Sequence, residues 1–149
     1  MSNFTSIELM TRETFCSIPD IYAASFNDKP WNHDWFEIHQ FNYESNWVAY
    51  NRHELVGFII SFLSKGIPYI SVLAVHPKYH NLGIGKQLVT HAISYWTRLD
   101  YDRVRIHVAF EREKALNLYR SIGFEIVSSD EDSFELLLCT KESENEPIK

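Results

Sequence analysis

The sequence predicts a single α/β domain of about seven strands and four helices in the order βααβββαβαββ. Three observations carry that prediction. The chain has 149 residues, which suits one core, since two domains of about 75 residues each would rarely bury enough apolar surface alone. Period-2 and period-3.6 apolar patterns alternate along it. Near the middle, Tyr69 to Val75 is apolar on both faces, as a strand at the centre of a covered sheet would be. It leads through a loop with two glycines into an amphipathic helix and then another strand.

Phe4 to Met10 reads as a short strand. Thr11 then opens a helix whose apolar positions Phe15, Ile18, Tyr22 and Phe26 step at helical intervals, with Pro19 set to bend it or begin a second one. Asn27 to Asn32 is a turn-rich loop, and His33 to Glu44 is a second amphipathic segment with Trp35, Phe36, Ile38, Phe41 and Tyr43. From Asn46 the period changes. Trp47 to Tyr50, a turn at Asn51 to Glu54, and Leu55 to Ser64 make a β-hairpin; Gly66-Ile67-Pro68 is a further turn before the Tyr69 strand. After His76-Pro77 and the glycine loop, Ile84, Leu88, Ala92 and Tyr95 line one face of a helix. Val104, Ile106 and Val108 alternate as a strand. Ala115, Leu118, Tyr119 and Ile122 form a helical stripe that Gly123 stops. Two strands, Phe124 to Val127 and Phe134 to Cys139, flank an acidic turn from Ser128 to Ser133, with Cys139 expected on an edge strand. Residues 1–140 form the domain, and 141–149 read as a flexible acidic tail.

Fourteen Lys and Arg against twenty Asp and Glu give a formal charge of −6, which opposes the broad basic face that nucleic-acid binding needs. Cys16 and Cys139 are too few for a disulfide scaffold or a Cys-rich metal site, and no metal is expected. The N-terminal residues have neither a basic region nor an apolar run, so they are not read as a secretory signal. The longest greasy run, Leu55 to Leu63, is strand-length and far short of a membrane span. A soluble, cytoplasmic protein is the expectation.

The stretch with chemical content runs from Val72 to Leu88. A buried strand enters a loop with Gly83 and Gly85 and then a helix, so unpaired helix N–H groups and a partial positive charge meet a backbone that a ligand can approach closely. Lys86 adds a cation. The pattern suits an anion such as a pyrophosphate; the plain alternative is a tight turn whose glycines serve packing. It is not a Walker A loop, because Gln87 follows Lys86 and Asn81 stands where the first glycine belongs. Nor is it a dinucleotide fingerprint, since Leu88 replaces the third glycine.

These residues resemble the GNAT superfamily of acetyl-CoA-dependent N-acyltransferases, whose Arg/Gln-x-x-Gly-x-Gly/Ala loop follows Leu-x-Val-x-Pro. Here Leu73-Ala-Val75-His-Pro77 leads into Gly83-Ile-Gly85 and Leu88. A second family pattern, Asn-x-x-Ala-x-x-Leu-Tyr-x-x-x-Gly-Phe, reads here as Arg112, Ala115, Leu118, Tyr119, Gly123 and Phe124. His80 stands in place of Arg or Gln, and Arg112 in place of Asn. The resemblance covers roughly residues 4–140 and implies a mixed central sheet flanked by helices.

The resemblance further implies that backbone groups of Leu73, Ala74 and Val75 meet the pantetheine arm of acetyl-CoA. Amides from His80 through Asn81, Leu82, Gly83, Ile84 and Gly85 to Lys86 take the pyrophosphate, and Arg112 lies near the pantetheine. It makes Tyr119 the acid that protonates the departing thiolate, against the alternative of a packed core aromatic on the helix stripe. The Val75 amide would face the thioester oxygen. Many relatives carry a Glu where this chain has Ser71, so no general base is assigned; His33, Asp34, Glu37, Glu44, His107 and a water chain all stay open. Trp31, Asp34, Glu37 and Ser71 are candidate acceptor contacts, with Trp35 and Phe36 nearby, although the same aromatics suit a core cap or a dimer contact.

The resulting expectation is an N-acetyltransferase that moves the acetyl group of acetyl-CoA to a primary amine of a small molecule or peptide by direct attack. Monomer and homodimer both remain open, and neither nucleic acid nor membrane is an expected partner. The competing reading is a degenerate domain that binds acyl-CoA as a sensor or interaction module; a dinucleotide-binding oxidoreductase ranks third.

Overall fold

The computed structural model describes residues 5–26 and 43–140. Seven strands form one sheet: β1 (Thr5–Leu9), β2 (Asn46–Asn51), β3 (Glu54–Ser64), β4 (Ile67–Val75), β5 (Arg103–Ala109), β6 (Glu125–Ser129) and β7 (Ser133–Cys139). Their order across the sheet is β1-β2-β3-β4-β5-β7-β6. Four α-helices are described: α1 (Arg12–Phe15), α2 (Ile18–Phe26), α3 (Ile84–Arg98) and α4 (Glu113–Ile122). The first expected helix is thus two. Thr11 and Thr14 close a capping box at the start of α1, and the chain restarts as α2 with Pro19 in its first turn, where a missing N–H costs nothing.

Two other boundaries differ from the sequence reading. The turn between β3 and β4 is the two-residue Lys65-Gly66, both at positive φ, which matches the twist of a hairpin. Ile67 and Pro68 therefore belong to β4. Cys139 lies on an interior strand, because β7 pairs with both β5 and β6 and leaves β6 on the edge. Of the expected segment His33 to Glu44, all but its last two residues lie outside the described ones. Its end is a 3-10 turn, Tyr43–Ser45. Ser45 and Ser61 there exchange hydroxyl-to-carbonyl hydrogen bonds of 2.7 and 2.6 Å in the core, and Trp96 on α3 donates to the Ser61 hydroxyl.

The sheet is covered on both sides. Ile59, Ile70, Val75, Leu88, Ala92, Ile106 and Leu136 form one core under α3 and α4, while Phe15, Ile18, Val48, Phe58, Ile60 and Ala74 form the other under α1 and α2. Two bulges decide which residue faces which core. Ile60 pairs with Val72 but Ser61 with Ile70, so Ser71 is an extra residue in β4. Side-chain alternation flips there: Ile70 packs beneath α3, whereas Val72 and Ala74 turn to the other side and Leu73 and Val75 take over the α3 face. Val56 plays the same part in β3.

The central feature is how briefly β4 and β5 stay together. These two strands, joined through α3, run parallel and pair only at Tyr69↔Arg105 and Ile70↔Ile106. Beyond that vertex, with the Ser71 bulge bending β4 away, they separate. The backbone of β4 from Ser71 to Val75 then has no β5 ladder to satisfy it.

Candidate active site

The split between β4 and β5 holds a cavity of about 760 Å³. Leu73 and Val75 line it from β4, Ser25 from α2, and Leu118 and Tyr119 from α4. The cavity thus draws its walls from the helices on both faces of the sheet. Its mouth is the loop from Tyr79 to Lys86 and the approach to α4 from Glu111 to Ala115.

That loop is shaped by local chemistry. Asn81 and Gly83 both adopt positive φ, 70° and 80°, which turns the chain sharply into α3. Gly83 is the N-cap and offers no side-chain hydrogen bond, so the helix opens on the amides of Ile84, Gly85 and Lys86 with no side chain capping them. The loop is tied back at two points. The Tyr79 hydroxyl donates to Glu54 at 2.6 Å, and His80 Nε2 lies 2.8 Å from the Val75 carbonyl.

Of the residues expected at the cofactor, Leu73, Val75, His80, Asn81, Gly83, Ile84, Gly85, Lys86 and Arg112 all line the cavity. Ala74 and Leu82 do not. Ala74 is 1% exposed on the opposite face, and Leu82 is 53% exposed. The His80 ring is engaged with the strand end, which ties the loop to β4. The Val75 N–H meets the Ser25 hydroxyl oxygen at 3.4 Å. Lys86, Arg112 and Lys114 put three cations on the lining, with Glu111 and Glu113 among them. An elongated ligand with an anionic middle and an apolar arm fits such a surface: helix amides and cations for the anion, Leu73, Val75 and Leu118 for the arm.

Tyr119 is 3% exposed and packs edge-on against Phe124, with ring centres 5.6 Å apart. Burial pushes its phenol well above the usual tyrosine value, so it stays protonated at neutral pH and beyond. The packed-aromatic and cavity-lining descriptions of Tyr119 hold together, since the helical stripe that packs is also the one that faces the split.

The other side of the vertex carries a polar pair. The Tyr69 hydroxyl lies 2.9 Å from His107 Nδ1. Tyr69 precedes the bulge and pairs with Phe62 of β3, which packs against the α1–α2 core. His107 is the first β5 residue past the paired ones, so the pair sits at the point where the strands part. Burial raises the Tyr69 phenol above its ordinary value, with Arg105 pulling it down and Glu135 pushing it up. Of the other base candidates, Glu44 is exposed in its 3-10 turn, while His33, Asp34 and Glu37, like the acceptor-side aromatics Trp31, Trp35 and Phe36, lie outside the described residues. Ser71 is the bulge itself. Tyr69 and Ser25 had not been singled out. Their roles depend on neighbours 38 and 50 residues away, which no local pattern reports.

Comparison with known proteins bears on this arrangement. The model of the acetyltransferase (GNAT) family matches residues 12–124, most of the chain. The chain belongs to that family. A GNAT relative, N-alpha-acetyltransferase 30 of Saccharomyces cerevisiae, is 35% identical over 77 residues, which are 47% of this chain and 44% of that protein. The chain thus matches less than half the length of that relative. Among solved structures, the ribosomal-protein-S18-alanine N-acetyltransferase of Escherichia coli superposes with a TM-score of 0.79 at 20% identity, covering 91% of this chain and 94% of that one. Naa50 of Arabidopsis thaliana, in complex with the bisubstrate analogue CoA-Ac-MVNAL, gives 0.75 at 22% identity, covering 90% and 97%. At these identities the likeness establishes the GNAT fold. Among the described residues no cluster of potential metal ligands occurs, and no helix is long and apolar enough to cross a membrane.

Proposed function

We propose that this protein is an acetyl-CoA-dependent N-acetyltransferase whose acceptor is the free α-amine of a peptide or protein. The observation that carries the reading is the cavity in the β4–β5 split, with an uncapped helix start at its mouth, Tyr119 in its wall and the Tyr69–His107 pair across the vertex. The choice of a peptide amine is supported by the relatives, which are named for acting on α-amines.

When bound, acetyl-CoA supplies an activated acyl group; the chain's residues do the rest. The amides at the start of α3, with Lys86, hold the pyrophosphate, and the released backbone of Leu73 and Val75 aligns the arm along β4. The amine enters from the α1–α2 face. His107 and Tyr69 take its proton, either directly at the free ring nitrogen or through the phenol to Nδ1. The Val75 N–H, which donates to the Ser25 hydroxyl oxygen at 3.4 Å, would turn with that hydroxyl toward the carbonyl oxygen as it gathers charge. Tyr119, kept protonated by burial, gives its proton to the departing thiolate.

The test is a thiol-release assay with acetyl-CoA and matched acceptors: peptides with free α-amines, the same peptides blocked at the N-terminus but carrying lysine, and small polyamines. Transfer confined to free α-amines is the expected result. Transfer to lysine or polyamines alone refutes the acceptor assignment. Tight acetyl-CoA binding without transfer to any acceptor refutes the enzyme and leaves the acyl-CoA sensor.

A further inference from the structure

A charged cluster to which the steps above assign no part lies against the vertex of the split. Arg105 is the register partner of Tyr69, and its guanidinium carbon stands 5.2 Å from the centre of the Tyr69 ring. Glu135 on β7 accepts from Arg105 Nη1 at 3.1 Å, while its other oxygen accepts from the Ser128 hydroxyl of β6 at 2.9 Å. The side chains of Arg105 and Glu135 are only 17% and 26% exposed, so their charges are felt by neighbours more strongly than surface charges would be. Yet among the described residues Arg105 Nε is buried without a hydrogen-bond partner. A buried donor left unpaired costs stability, so the ion pair with Glu135 does not by itself account for where the guanidinium sits, against the Tyr69 ring.

We propose that Arg105 is a positioning residue for acetyl transfer: anchored by Glu135 and Ser128, its guanidinium fixes the Tyr69 ring and sets the charge around the Tyr69–His107 pair. The β6–β7 hairpin thereby governs how readily that pair takes the acceptor's proton. The proposal rests on the reading of the pair as proton acceptor. Among the described residues, the groups facing the pair are Phe62 from β3, Arg105 from β5 and Glu135 from β7, with Ser128 of β6 holding Glu135. Arg103, two residues along β5, lies 3.6 Å from Asp102, its own anion. The two charges act in opposite senses. The cation opposes a further proton on the pair and the anion favours one. A flat guanidinium stacked on a ring also restrains it in a way that a lysine ammonium does not.

The experiment is kcat/KM against pH for one acetylated peptide, in the parent and in Arg105→Met, Glu135→Gln and Arg105→Lys. Use of one peptide cancels the titration of the acceptor amine. Arg105→Met should move the acid limb up by roughly half to one pH unit, and Glu135→Gln should move it down by a similar amount. The acceptor kcat/KM should fall about 10-fold in Arg105→Met with the acetyl-CoA KM unchanged. Arg105→Lys should return the limb to its place and recover only part of the rate. Limbs that stay put, or move the same way in both charge removals, overturn the proposal, because a purely structural role predicts no opposition of sign. If Arg105→Met does not fold, the near-isosteric Glu135→Gln decides alone: an unmoved limb overturns it. Tyr69→Phe and His107→Ala separate the two ideas. If both keep the parent's rate and profile, the reading of the pair fails and this proposal with it. If both are impaired while Arg105→Met and Glu135→Gln are inert, only the positioning role fails.

Discussion

Gly83→Ala isolates the part of the proposed cofactor loop that depends on backbone geometry alone. Gly83 sits at φ 80° and ψ 8°, and a methyl built on it would meet no atom within 4 Å. No clash enters; the whole effect is the cost of holding an L-residue in the left-handed region, about 1–2 kcal/mol. Alanine returns about 0.4–1 kcal/mol by restricting the unfolded chain, so the net loss is about 1 kcal/mol. If the loop keeps its shape, that loss appears as stability, about 3 °C in Tm for a domain near this size. If the loop relaxes instead, stability is kept and the amides of Ile84 to Lys86 turn from their positions, so CoA affinity falls by about 10-fold or more. The two readouts are thermal melting and calorimetric titration with CoA on the same preparation. Gly85→Ala is the internal control. A methyl on Gly85 would touch Leu118, Leu73 and Val75 at 3.4, 3.7 and 3.9 Å, ordinary contacts, and its helical backbone gains from alanine. It should therefore melt no lower than the parent. A Gly83→Ala protein that matches the parent in both melting and CoA affinity, or a Gly85→Ala protein that is the less stable of the two, refutes the reasoning.

Two further outcomes concern Tyr119. Tyr119→Phe keeps the ring against Phe124 and removes the hydroxyl, so kcat should drop about 10²-fold while acetyl-CoA affinity holds, because the donated bond strengthens only as charge gathers on sulfur; full turnover in the variant would make Tyr119 a packing residue only. The same buried phenol predicts a pH dependence of stability. Its folded pKa lies above the ordinary 10.0, so its contribution is complete below pH 10 and is lost as pH rises from there, when the unfolded chain ionises first. The unfolding free energy of the parent, from urea titrations, should fall more steeply between pH 9.5 and 11 than that of Tyr119→Phe, by up to about 1.4 kcal/mol per pH unit; parallel slopes would show that the phenol is not sequestered.

Much of this protein is local and is therefore written in the order of its residues. A strand apolar on both faces, a glycine at a helix start and the stripe Ala115, Leu118, Tyr119, Ile122 depend on backbone preference and near-neighbour spacing, and each element formed where that spacing required it. The loop proposed to hold the cofactor was legible for the same reason: Gly83 and the uncapped amides after it lie within four residues. What the tertiary structure decided are features that join distant segments. The extra residue at Ser71 is invisible until β3 supplies the register against which it is extra, and that one residue assigns Leu73 and Val75 to the cavity and Ala74 to the opposite core. The brevity of the β4–β5 pairing opens the split. The insertion of β7 between β5 and β6 sets Glu135 beside Arg105 and, through it, the Tyr69–His107 pair. Hydrophobic periodicity specifies which face of an element is buried, but the choice of neighbour belongs to strand pairing and chain closure, which act between segments far apart along the chain.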